Sequence, residues 1–135
     1  MRIIYSDELR HKRAQALIDQ LGTDAEIRLY ELADTEPNLE TDTLLVTCLC
    51  STPIGADVDG VLTFDAIAPG TVIASGNADY AAIHETDGTQ QIVGLEVTDQ
   101  DGDGPVILAQ TGTTLTMGDT LTISSLIITQ GNGAA

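Results

Sequence analysis

The chain reads as mainly β: a β-sandwich or jelly-roll of about eight short antiparallel strands behind one N-terminal α-helix. Three observations carry this. Short apolar runs of Leu, Ile, Val and Thr are broken by Gly, Asp and Asn roughly every ten residues. Aromatic residues are scarce: Phe64, Tyr5, Tyr30 and Tyr80, with no Trp. Helical periodicity is convincing in one stretch alone, residues 6 to 21. A chain of 135 residues with 42% hydrophobic content suits one domain with a modest core, not a disordered polymer.

The helix has both of its end signals. Ser6 is placed to cap it, and Asp7 and Glu8 sit in the first turn, where the helix dipole favours anions. Leu9, Ala14, Leu17, Ile18 and Leu21 recur at helical spacing, and Gly22 supplies the stop. Its apolar face either packs on its own domain or docks on a neighbouring subunit.

After Gly22 the period drops to two. Glu26 to Tyr30 alternates as a strand, and residues 33 to 42 form an acidic loop. Residues 43 to 50 read as a buried strand ended by Pro53 and Gly55. Val61 to Ile67 follows the Asp59-Gly60 turn, and Thr71 to Ala74 is a short extended piece after Pro69-Gly70. Ala78 to Glu85 and Gln90 to Val97 flank Thr86-Asp87-Gly88-Thr89, a strong hairpin signal. Residues 105 to 110, 113 to 117 and 120 to 129 complete the strands. The expected organisation is an arm and helix at 1–22, a sandwich at 23–130 and a flexible tail at 131–135.

Charge divides the chain unevenly. Every cation lies in the first 28 residues: Arg2, Arg10, Lys12, Arg13 and Arg28. Asp7, Glu8, Asp19, Asp24 and Glu26 balance them there. The net charge of −16 therefore belongs to the remainder, which has no Lys or Arg. Such a body cannot neutralise its carboxylates by salt bridges. It repels nucleic acid and anionic membrane, both of which need cationic contacts, so neither is expected as a partner. No apolar run is long enough to span a bilayer, and the start lacks the apolar core of a signal peptide.

Catalytic signals are missing. Cys48 and Cys50 lie two apart in one strand, a poor geometry for bonding each other, and read as small core residues. His84 reads as an ordinary strand residue. No phosphate-binding Gly loop, metal-type His cluster or Gly-x-Ser-x-Gly is present, and no enzyme is expected. One local motif stands out, Asp99-Gln100-Asp101-Gly102-Asp103-Gly104. Asp at positions 1, 3 and 5 with Gly at 6 copies the start of a calcium loop. Gln110 stands where the bidentate Glu should be. Asp99, Asp101 and Asp103 are thus candidate calcium ligands, set against a plain polar connection.

Several segments together resemble a family of small structural proteins of tailed-bacteriophage virions. They are Arg13-Ala-Gln-Ala-Leu-Ile-Asp, Ala25-Glu-Ile-Arg-Leu-Tyr-Glu, Thr43-Leu-Leu-Val-Thr and Gly60-Val-Leu-Thr-Phe. Gly76-Asn-Ala-Asp-Tyr-Ala-Ala-Ile with its Thr86-Asp-Gly-Thr turn, and Gly118-Asp-Thr-Leu-Thr-Ile-Ser-Ser-Leu-Ile-Ile-Thr-Gln-Gly-Asn, complete the set in order. The resemblance implies a head-decoration-like subunit with an N-terminal helix and a β-sandwich, assembled in the bacterial host cytoplasm and resident in the virion. The expected partners are the major capsid protein or other virion subunits, with self-association into a homo-oligomer. On this reading Arg2, Arg10, Lys12, Arg13 and Arg28 meet acidic neighbours, with Leu9, Leu17 and Leu21 as the apolar anchor. The alternatives are a tail or neck subunit and a calcium-dependent module that binds a host surface.

Overall fold

The computed structural model describes residues 6–21, 25–52, 54–58, 60–85 and 89–129. Arg2, the Gly22 stop, Asp87-Gly88 and the tail at 131–135 lie outside them. In chain order the elements are α1 (Asp7–Leu21), β1 (Glu26–Glu31), β2 (Thr43–Leu49), β3 (Gly55–Val58) and β4 (Val61–Phe64). There follow β5 (Gly70–Thr71), β6 (Gly76–Asn77), β7 (Tyr80–His84) and β8 (Gln90–Thr98). The last are β9 (Val106–Leu108), β10 (Thr114–Leu115), β11 (Thr120–Leu121) and β12 (Ile123–Thr129).

The fold is mainly β with one N-terminal helix. Eight strands form a single sheet in the order β2-β1-β7-β8-β9-β12-β4-β3, curled into a half-barrel. Where a sandwich has two separate sheets, these eight strands belong to one curled sheet. Its pairs are antiparallel except β8 with β9, which run parallel. Two short ladders, β5–β11 and β6–β10, lie beside the main sheet. Alternation decides which side chains enter the core. Ile27 and Leu29 of β1, Ala81 and Ile83 of β7, Leu62 of β4 and Leu126 of β12 all face inward and are buried.

The β7–β8 pairing fits the expected hairpin, with Tyr80 opposite Glu96 and His84 opposite Gln90. The strand Gly55–Val58 differs from the sequence reading, in which Gly55 ends a strand. The reason is steric. A Cβ at Gly55 would run into the Thr63 carbonyl of the paired strand, so this glycine permits a close ladder instead of breaking one.

One edge of the sheet is β2, which is partly covered. Ala68 N donates to Leu49 O (2.9 Å) and Ile73 N to Leu45 O (2.8 Å), so residues 68–73 run along it. The other edge is β3, only four residues long.

The helix lies across one end of the half-barrel. Ser6 caps it, its Oγ accepting from Leu9 N at 3.1 Å. At its C-terminal end Gln20 Nε2 donates to Glu85 Oε1 (3.2 Å), just beyond β7. Near its start Arg10 packs on Gly60, in the β3–β4 connection. Gly60 has a φ of +85°, and a Cβ there would strike Arg10. Between these points His11 Nδ1 lies 2.6 Å from Asp57 Oδ2, whose side chain is only 2% exposed. Ala14, Ile18 and Leu21 drop into the same core as the strands.

This corrects the reading of the helix as an arm offering its apolar face to a neighbour. That face covers the chain's own core, and Leu21, at 2% exposed, cannot anchor a partner. A half-barrel leaves an open end, and the helix is the element available to cover it. Leu21→Ala should therefore lower unfolding free energy by about 2–5 kcal/mol in urea titration, while Leu9→Ala stays within about 0.5 kcal/mol.

Candidate interaction surfaces

The exposed side of α1 carries part of the expected partner-binding set. Leu9 is 43% exposed, and Lys12 and Arg13 are exposed three and four residues further on, hence on the same face. Lys12 Nζ lies 3.3 Å from Glu8 Oε1, a surface pair of little energetic weight. Arg10 is half-buried over Gly60, and Leu17 is half-buried against the core.

Arg28 belongs elsewhere. It sits on β1 with its guanidinium 3.1 Å from Glu26 Oε1 in the same strand. Burial works against its charge, but the bonds to Glu26 and Tyr30 outweigh that and raise its pKa. Sequence spacing grouped Arg28 with the helix cations. The structure makes it part of the sheet.

The opposite end of β1 opens into the acidic loop. Asp42 organises it, accepting from Ala33 N (2.8 Å), Asn38 N (2.8 Å) and the Tyr80 hydroxyl (2.6 Å). Those bonds favour its charged form and hold its pKa below the ordinary 3.8. Burial, and then Asp42 itself, push the Tyr80 phenol up. Tyr80 stacks on Tyr30 across the β1–β7 ladder, with ring centroids 5.3 Å apart and planes at 11°. Leu32, Leu39 and Leu44 close over the pair, a second small core on the outer face of the sheet. Beyond them the loop and Val93 border an open depression of about 710 Å³, rimmed by Asp34, Glu36 and Glu40. The sequence marks this loop as acidic. The Tyr30–Tyr80 pairing that fixes it depends on register, which composition does not reveal.

The carboxylates of the Asp99–Gly104 turn have separate surroundings. Asp99 Oδ1 accepts from Asp101 N (3.0 Å) and Oδ2 from Gly112 N (2.9 Å). The bond from Gly112, then that from Asp101, lowers its pKa. Gln110, at the twelfth loop position, donates to the Gly112 and Thr114 carbonyls (3.1 and 3.3 Å). Asp101 and Asp103 are exposed. Among the described residues no three His, Cys, Asp or Glu side chains converge as a metal site. The first carboxylate of the calcium-like motif ties two loops together, and the candidate ligands Asp99, Asp101 and Asp103 do not meet at one point among the described residues.

The remaining candidates are interior. Cys48 and Cys50 are buried and unbridged, and burial raises their thiols to about 11 and about 12, far from a nucleophilic thiolate. His84 is 3% exposed on β7, its ring 6.5 Å from that of Tyr30. Among the described residues no helix is long and apolar enough to cross a membrane. Comparisons with protein-family models, curated proteins and solved structures gave no match.

Two outcomes follow from the carboxylates. Asp42 and Asp99 both have folded pKa values below their unfolded ones. Their stabilising effect is full above the unfolded value and lost as pH falls through the folded one. In urea unfolding, Asp42→Asn should lower the midpoint at neutral pH and flatten its fall below about pH 4. Calcium at millimolar concentration should leave the melting temperature where a chelator leaves it, because a bound ion would raise it.

Proposed function

We propose that the chain is a non-enzymatic structural subunit of a tailed-phage virion, a capsid decoration protein that docks through the exposed face of α1. The observation carrying this reading is the polarity of the folded chain. One end presents Leu9, Arg13 and Lys12, the last paired with the exposed Glu8, on a helix secured to the body. The far end of β1 presents Asp34, Glu36 and Glu40. A rigid body with unlike ends settles on a surface in one orientation, with its carboxylate end toward solvent. The resemblance in segment order to small virion proteins supports the same reading, as does the use of buried polar groups for structure.

Because α1 belongs to the core, deleting it would unfold the body and reveal nothing about attachment. Surface substitutions are the right test. Lys12→Glu with Arg13→Glu should cut occupancy on decoration-free capsid shells at least tenfold with the melting temperature unchanged. Glu36→Lys with Glu40→Lys should bind as the unmodified chain does. Full occupancy by the helix variant would remove the proposal.

A further inference from the structure

The sheet buries side chains on its outer face as well as its inner one. Tyr30 and Tyr80 belong to a cluster separate from the main core that holds Leu29 and Ala81, yet they are only 4% and 3% exposed. Residues 33–42 help to cover them. Leu39 of this segment packs against the cluster of both rings, and Pro37 reaches Gly94 of β8. The segment makes one turn of its own, in which Thr41 N and Asp42 N donate to Asn38 O (3.1 and 2.9 Å). Asp42 ties it down. One carboxylate oxygen accepts from Ala33 N, where the segment leaves the sheet. The other accepts from Asn38 N, in its middle, and from the Tyr80 hydroxyl. Three donors from three places converge on a single carboxylate, and its charge strengthens all three bonds.

We infer that residues 33–42 form a strap latched by the Asp42 carboxylate, which acid opens as a unit over the Tyr30–Tyr80 pair while the main core stays closed. Protonation puts a donor where Asp42 had only acceptors, and it removes the charge that strengthens the bonds. The bond from Ala33, then that from Asn38, lowers the folded pKa of Asp42. The latch is therefore at full strength above the ordinary 3.8 and lost as pH falls through the lower folded value. The charges around it are not a second latch. Asp34, Glu36 and Glu40 on the strap are exposed carboxylates. On the strands beneath, Glu31 accepts from Asn77 N, Asp79 accepts from Leu32 N, and Glu96 lies opposite Tyr80. Arg28 is tied to Glu26, and the His84 ring lies 6.5 Å from that of Tyr30. Opening bares Tyr30, Tyr80 and Leu44, so acid exchanges a carboxylate-covered face for an aromatic and aliphatic one without unfolding the half-barrel.

The test follows the full chain from neutral pH to about pH 2.5 by hydrogen exchange and circular dichroism. Protection of the Ala33 and Asn38 amides, corrected for intrinsic exchange, should fall at least tenfold below about pH 4, with the β1–β7 ladder still protected. The near-ultraviolet tyrosine signal should decay with the strap, and the far-ultraviolet signal of the sheet should persist. Tyr80→Phe keeps a stacked ring but removes one donor, so release should begin at a higher pH. Asp42→Asn should leave the strap weakly protected at neutral pH, with no further loss on acidification. A strap that stays protected throughout, a sheet signal lost in the same transition, or release of Tyr80→Phe at the parent's pH would overturn the inference.

Discussion

Everything in this fold depends on the seating of one helix across the open end of a curled sheet. A closed barrel would seal its own interior, whereas a half-barrel exposes an end of its core to water. Ala14, Ile18 and Leu21 cover that end. The seat is polar as well as apolar. His11 covers the almost fully buried Asp57 carboxylate, and Gly60 admits the Arg10 stem where a larger residue would collide. The same fit fixes which helix side faces out. Leu9, Lys12 and Arg13 are what the core leaves on the outer side of the helix.

Residues 29–135 contain no Lys or Arg, and several of their carboxylates are held instead by hydrogen-bond donors of neutral groups. Asp79 accepts from Leu32 N (2.8 Å), Glu31 from Asn77 N (2.7 Å), Asp99 from two amides, and Asp42 from two amides and a phenol. A backbone N–H brings no long side chain to immobilise, so the tie costs little entropy. Each such bond also satisfies a donor that a loop would otherwise leave to solvent. The acidic composition thus serves twice: some carboxylates pin loops from within, and the rest stay exposed and keep the surface charged.

Local signals were legible in the sequence wherever period and punctuation determine structure. The Ser6 cap and the helical spacing of Ala14, Ile18 and Leu21 fix α1, and the two-residue period of Ile27 and Leu29 fixes β1. What stayed hidden depends on contacts distant in sequence. The helix pattern says that a face is buried, not against what, and only the seat on Asp57 and Gly60 answers that. Gly55 reads as a breaker because its function, close approach to Thr63, lies on another strand. Asp99 reads as a ligand because a loop motif does not reveal that Gly112 N, thirteen residues away, takes one of its oxygens. Arg28 and the helix cations are close in sequence, but a strand and a helix direct them to different surfaces.

The edges of the sheet have a consequence for how copies can crowd together. The β2 edge is partly taken by residues 68–73, and β3 is a four-residue strand whose Asp57 turns inward to His11. Short edges and inward charges are poor templates for another strand. Sheet continuation from one molecule to the next is therefore discouraged at both margins. Contacts between copies would then run through side chains and not through a continued sheet. The chain can reach high local concentration without its backbone seeding a fibre.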